Sequence, residues 1–197
     1  MAVSKKLLKH LDKGGIAYEV VSHKKVYTAY DLAQTLGEKL EGVAKTLLVK
    51  AELPKIEKRG QYFVVVVPAS YRANFQKIKK MLKAKKVEIA SEKVMDKLGL
   101  KPGAITPFAP FHGLEVLLDK ALLKTRDVLV GAGSYTESLR VRVKDLHNQE
   151  GVTLGQFGDK AKIKLQAAVK KAKKIVKKAV KKTAKKTAKK VRKAVKR

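Results

Sequence analysis

The sequence predicts an α+β fold with a mixed sheet, and three observations predict it. The order of elements mixes hairpins with helices. Residues Gln61 to Pro68 carry Phe63 and four consecutive valines, the strongest strand signal in the chain. Residues Ala44 to Ala51 hold the short apolar run Leu47, Leu48, Val49, as expected of a strand covered on both faces.

Taken in order, Ser4 can cap a helix carrying Leu7, Leu8 and Leu11, which Gly14-Gly15 would stop. Ile16 to Val21 alternates enough to be a strand, and His23 ends it. Thr28-Ala-Tyr-Asp31 has the form of a capping box, with Thr28 as N-cap. The helix it opens buries Leu32, Ala33 and Leu36, and Gly37 closes it. The central strand follows, then a polar hairpin loop from Glu52 to Gly60, then the valine-rich strand. Asn74 to Leu82 reads as a helix with Phe75, Ile78 and Leu82 on one face. Lys86 to Ala90 is a short strand, and Ser91 caps a helix with Val94, Met95 and Leu98 as its apolar stripe. Three prolines and two glycines make Lys101 to Gly113 an irregular, fixed loop. Glu115 to Leu123, Asp127 to Gly131 and Leu139 to Val143 are further strands, and His147 to Gly158 has linker composition.

A chain of 197 residues is long enough for one medium domain with a real core. It has no cysteine, which excludes disulfides, thiolate metal sites and cysteine nucleophiles. No apolar run approaches a membrane span and the N-terminus lacks a signal-peptide core, so a soluble, cytoplasmic protein without a membrane partner is expected. The formal net charge of +30 is unevenly spread. Residues 160–197 hold 19 of the 47 basic side chains and no acidic one, leaving +11 on the rest. That asymmetry points to a polyanionic partner, nucleic acid before an anionic membrane surface, because the tail lacks the aromatic and leucine face of interfacial helices.

The tail is of low complexity. Lysine pairs recur along it, and Lys170, Lys171, Lys174, Lys178, Lys182, Lys186 and Lys190 are its candidate phosphate contacts. Leu165, Val169, Ala172 and Val176 begin a thin apolar stripe at helical spacing. Like charges at i and i+4 oppose it by a few tenths of a kcal/mol per pair. A tail that is helical or disordered, gaining helix as phosphates neutralise it, is the expectation. The reading divides the chain into a domain over 1–150, a linker over 151–160 and a basic tail over 161–197.

One strand begins with an unexpected residue, Lys45, which is either a solvated strand end or a cation aimed into a site. Two later loops, Gly103-Ala-Ile-Thr-Pro107 and Gly131-Ala-Gly-Ser134, have the composition that brings bare backbone close to a ligand. These motifs, with the run from Tyr18-Glu-Val-Val-Ser-His23 through Thr28-Ala-Tyr-Asp-Leu-Ala33, resemble the YbaK/prolyl-tRNA-synthetase-associated editing-domain family. The resemblance covers roughly residues 4 to 146, and the tail, outside it, is similar to a linker-histone arm. It implies a mainly antiparallel, partly barrel-like sheet with flanking helices. It also implies hydrolysis of amino acids wrongly attached to tRNA, classically tRNA for proline, in trans or as a synthetase insertion. Prolyl-tRNA synthetase is then a further candidate partner beside mischarged tRNA.

On this reading Lys45, Gly103 and Thr106 form the catalytic set, Lys45 holding phosphate or a carbonyl oxygen as a point charge. Ile105 and Pro107 complete the wall that meets the amino-acid side chain. Gly131, Gly133 and Ser134 close the pocket, and His23 and Tyr27 line its mouth. Taken singly, these residues also fit a tight turn, a β-bulge and a surface histidine. No catalytic base stands out, there is no nucleophile elbow, and the four histidines lack metal-ligand spacing, so neither metal nor cofactor is expected. Alanine-specific family members carry a histidine near the last segment, where this chain has Ser134 and Tyr135. Cysteine, serine and alanine all remain open as the amino acid removed. The alternative is a non-catalytic protein that binds tRNA, DNA or the ribosome and keeps the editing fold as a scaffold.

Overall fold

The structure is a computed structural model and describes residues 2–54 and 60–161. Residues 55–59 of the expected hairpin loop and the candidate lysines from Lys170 to Lys190 lie outside the described residues. The elements run α1 (Lys5–Lys13), β1 (Tyr18–Ser22), α2 (Ala29–Leu36), β2 (Ala44–Glu52), β3 (Gln61–Pro68), β4 (Tyr71–Ala73), α3 (Phe75–Met81), β5 (Lys86–Ile89), α4 (Glu92–Lys97), α5 (Ala109–His112), β6 (Glu115–Asp119), β7 (Asp127–Gly131), β8 (Glu137–Arg142), α6 (Val143–His147), β9 (Val152–Gly155) and β10 (Gly158–Lys160). Among them no helix is long and apolar enough to cross a membrane.

Among the described residues, three sheets make a mixed α+β architecture. The largest has the order β5-β2-β3-β6-β9, antiparallel from β5 to β3 and parallel from β3 to β9. Strands β1, β8 and β7 form an antiparallel sheet, and β10 pairs with β4. A parallel bridge between Val43 and Leu129 stitches the three-stranded sheet to the start of β2.

The valine run explains the layers. Successive strand side chains point to opposite faces, so Val64 and Val66 enter one core with Leu48, Val116 and Leu118. Phe63, Val65 and Val67 enter another with Val49, Ile78 and Phe157. Both faces of β3 are thus dry, which is why the strand reads as continuous apolar sequence rather than as an alternation. A third, smaller core joins Leu32 and Ala33 of α2 to Val43 and Leu129.

Two of the helix signals act as read, whereas Ser4 and Ser91 stand at the N-cap positions of α1 and α4 without a side-chain capping bond. Thr28 Oγ1 accepts the Asp31 N–H at 3.1 Å and donates to the Asp31 carboxylate at 2.7 Å, and Gly37 ends α2 with φ +67°. Asn74 caps α3 by accepting from the N–H groups of Gln76 and Lys77.

Other expectations are corrected. The strand expected to run to Leu123 stops at Asp119, because the Asp119 carboxylate accepts the Ala121 N–H at 2.9 Å and starts a 3-10 helix over Lys120–Lys124. Leu98 is 42% exposed, so it does not extend the α4 stripe. The last strand of the small sheet is Glu137–Arg142, and Val143 already opens α6. Most consequentially, 151–160 is not a linker. Val152–Gly155 pairs in parallel with β6, and Gly158–Lys160 pairs with β4. Between them Phe157 is fully buried, and its N–H and that of Gly158 both donate to Asp119 Oδ2, at 2.8 and 2.6 Å.

Candidate functional site

A pocket of about 210 Å³ opens where β2, β7 and the 103–107 loop meet. Of the residues singled out in the sequence, Lys45, Gly103, Ile105, Gly131, Ser134, His23 and Tyr27 line it. Segments distant in the chain reach this place because glycine lets backbone lie on backbone. A Cβ on Gly103 (φ +78°) would sit 2.1 Å from the Tyr27 carbonyl oxygen, and one on Gly131 would sit 2.5 Å from that of Ile105. The Gly133 N–H donates to the Ala104 carbonyl at 2.8 Å, tying the two loops together. Tyr135 Oη donates to the Pro102 carbonyl at 3.0 Å, and its ring packs 4.9 Å from that of Tyr27.

Lys45 is half-buried, and its Nζ donates to the Tyr71 carbonyl at 2.7 Å. Burial holds its ammonium below the usual lysine range, and the nearby Arg72 guanidinium acts in the same direction. The cation is therefore already partly desolvated and anchored by one acceptor. Among the described residues, the backbone N–H groups of Gly103 and Ile105 donate to no backbone carbonyl.

Thr106, Pro107 and Gly133 are outside the lining. Thr106 and Pro107 are buried behind it, and Gly133 adopts φ +72° at the turn after β7. The Thr106 hydroxyl bonds Nε2 of His112, which is half-buried and stacks edge-on against Phe111. Burial pushes the His112 imidazole below its ordinary range; a hydrogen bond with the Thr106 backbone opposes this, and nearby His10 adds to it.

Thr46 and Ser138 belong to the lining without having stood out in the sequence. Ser138 is 4% exposed and its Oγ lies 2.9 Å from His23 Nε2, while His23 Nδ1 lies 2.8 Å from the Lys24 carbonyl oxygen. The two residues are 115 positions apart, and only the pairing of β1 with β8 brings them together. No local sequence signal announces such a pair. Thr46 Oγ1 is buried with no hydrogen-bond partner among the described residues.

Residues 23–148 match the family model described as the aminoacyl-tRNA editing domain. Proline–tRNA ligase of Bacillus subtilis is 30% identical over 117 residues, 59% of this chain and 20% of that protein. Proline–tRNA ligase of Leptospira interrogans is 30% identical over 125 residues, 61% and 21% of the two chains. The chain thus spans about a fifth of the length of these curated relatives. Among solved structures, that of a hypothetical protein superposes with a TM-score of 0.69 at 22% identity, covering 79% of this chain and all of the other. That of a proposed trans-editing enzyme for prolyl tRNA synthetase superposes with a TM-score of 0.67 at 20% identity, covering 80% and 99%.

Proposed function

Since the chain belongs to the aminoacyl-tRNA editing domain family, we propose that it is a deacylase acting in trans, which hydrolyses the ester between a tRNA and a wrongly attached amino acid. The substrate we propose is tRNA for proline carrying a small non-cognate amino acid, with prolyl-tRNA synthetase as a partner and the basic tail as an aid to tRNA binding. The observation that carries this reading is the convergence of Lys45, Gly103, Ile105, Gly131 and Ser134 on one pocket inside the family-matched span.

The chemistry suits the site. Drug-sized ligands occupy pockets of about 300–1,000 Å³; one of about 210 Å³ suits a small aminoacyl group better than a nucleotide. Ester hydrolysis places negative charge on the former carbonyl oxygen, and donors already in position stabilise it most effectively. The N–H groups of Gly103 and Ile105 are suited to that role. Lys45, held beside the pocket by Tyr71, supplies a cation for the terminal phosphate or the developing oxyanion. The 3′ end is then held by backbone and one lysine, so that much of the catalysis is orientation.

The test is deacylation of tRNA for proline charged separately with cysteine, alanine, serine and proline. It compares the full chain, a chain ending at Ala161, and Lys45→Ala. Hydrolysis of one mischarged species, lost in Lys45→Ala and only weakened at low salt by removing the tail, is the expected result. If the tail makes about 6–10 phosphate contacts, tRNA affinity of the full chain should fall about 10³–10⁵-fold between 50 and 200 mM salt. No hydrolysis of any species, with tail-dependent binding to tRNA and DNA alike, would overturn the proposal in favour of a non-catalytic binder.

A further inference from the structure

The first half of the 103–107 loop is tied to the pocket by main chain, whereas the second half hangs on a histidine outside it. We propose that His112 is a positioning residue: through its bond to Thr106 it holds Ile105 and the N–H groups of Gly103 and Ile105 in place for the reaction. This rests on the deacylase reading and adds to it a residue that does not line the pocket.

The two halves of the loop are fixed by different means. Gly103 lies against the Tyr27 carbonyl and Gly131 against that of Ile105, and the Gly133 N–H donates to the Ala104 carbonyl at 2.8 Å. Beyond Ala104 the main-chain ties stop. Among the described residues, 105–107 make no backbone–backbone hydrogen bond, and Pro107 has no N–H to offer. What holds this half is the buried Phe108 ring and the bond between the Thr106 hydroxyl and His112 Nε2. The ring also meets the Thr106 backbone, so residue 106 is held by side chain and main chain together. A threonine hydroxyl both donates and accepts, so the bond forms with either ring tautomer.

His112 is itself well moored. It closes the single turn of α5, which Gly113 ends at φ +63°. Its ring meets that of Phe111 edge-on at 5.0 Å, and Phe111 lies 5.8 Å from the ring of His10 on α1. Leu7 and Leu11 of the same helix share one core with Ile105 and Phe108. The bond therefore ties the free half of the loop to the main core. Without it the Ile105–Thr106 segment can swing, and with it the Ile105 N–H and the wall beside the substrate. Donors aimed at a developing oxyanion act on the transition state more than on binding. Lys45 stands on β2, outside this loop, so the hold on the tRNA end is left intact. The chemical step should suffer while KM stays.

The experiment uses the full chain and its His112→Phe, His112→Gln, Thr106→Val and Thr106→Ser variants, with the His112→Phe/Thr106→Val double variant. Each is assayed well below its unfolding temperature on the mischarged tRNA that the wild type hydrolyses. His112→Phe and Thr106→Val should each lower kcat by about 10²-fold, the cost of misplacing a positioning group by about 1 Å, with KM changed by no more than about twofold. The double variant should lose no more than either single one, because one shared bond is removed once. His112→Gln and Thr106→Ser keep a hydrogen-bonding group and should lose about tenfold less than their partners. Values of kcat within about threefold of wild type in both disruptive variants, losses that multiply in the double variant, or a KM that rises as kcat falls overturns the proposal. If one disruptive variant does not fold, the other and its conservative counterpart decide. Amide NMR shifts of the same proteins need no tRNA. Shifts at Gly103 and Ile105 in the disruptive variants, absent from the conservative ones, support the positioning role. Shifts confined to 106–113 overturn it. Should the wild type deacylate no tRNA while Gly103 and Ile105 shift as expected, the positioning bond stands and the deacylase reading falls.

Discussion

Replacing Gly131 by alanine should open the pocket by a calculable amount. Gly131 has no left-handed backbone to protect, so the cost is steric. The added Cβ would lie 2.5 Å from the Ile105 carbonyl oxygen and 3.0 Å from the Ala104 carbonyl carbon. Ordinary van der Waals contact begins at 3.4 Å, so the 104–105 segment must retreat by about 0.9 Å. Both atoms are backbone and cannot rotate aside. Overpacking of this kind costs about 1–3 kcal/mol, and loosening the bond from Gly133 N–H to the Ala104 carbonyl costs about 1 more. A loss of about 2–4 kcal/mol lowers Tm by roughly 4–16 °C for a domain of this size. The displaced segment carries Ile105, and misplacing a positioning group by about 1 Å can cost on the order of 10²-fold in rate. Thermal unfolding and deacylation of the hydrolysed species give both numbers. Gly133→Ala is the control: its Cβ would meet nothing within 4 Å, so only the strain of φ +72° remains, about 1–2 kcal/mol, with little effect on rate. A Gly131→Ala protein that unfolds within a degree of wild type and deacylates at the wild-type rate would refute the claim that close loop contact builds this site.

Three other outcomes are expected. Asp119→Ala leaves the N–H groups of Ala121, Phe157 and Gly158 without their common acceptor and should cost about 3–5 kcal/mol in chemical denaturation, whereas Asp119→Asn, which keeps an acceptor, should cost less. A chain ending at Ala161 should unfold cooperatively by circular dichroism, and one ending at Glu150 should not, because it loses β9, β10 and Phe157, whose ring alone is worth about 3–5 kcal/mol. His112 has its pKa depressed in the folded protein, so unfolded chains bind more protons than folded ones just below pH 6.5. Its contribution to stability should be complete above that pH and be lost as pH falls from 6.5 through the lower folded value; His112→Gln should flatten that part of the stability–pH curve.

What the sequence made legible was what local chemistry decides. Thr28 and Asp31 form a cap in any context, four valines in a row favour a strand, and glycines bunched in two loops marked where backbone meets backbone. The parallel pairing of β3 with β6, and of β6 with β9, depends on which strands meet across the sheet, and no window of residues encodes it. Residues 151–160 misled for a related reason: glycines at 151, 155 and 158 look like linker composition, yet Gly155 and Gly158 are small because Met81, Phe157, Tyr71 and Asp119 press against them. The site was legible in part on the same terms. Lys45 and the glycine loops stand out locally. Ser138 does not, because only folding places it beside His23 and into the pocket lining. Thr106, a natural choice within its loop, is buried behind the pocket wall with its hydroxyl on His112.

The position of β9 in the sheet bears on how the chain can be made. Strand β6 lies between β3, which precedes it by some fifty residues, and β9, which follows it. During synthesis β6 emerges with one side able to pair and the other bare, and it keeps that open edge until residue 155 has left the ribosome. Leu117 and Leu118, both 1% exposed in the finished fold, lie on that edge. An uncovered apolar strand edge is a template for pairing with other chains. The domain therefore passes through an aggregation-prone stage that ends only when β9 pairs with β6, and truncated or nascent chains stopped before it should collect in inclusion bodies or on chaperones.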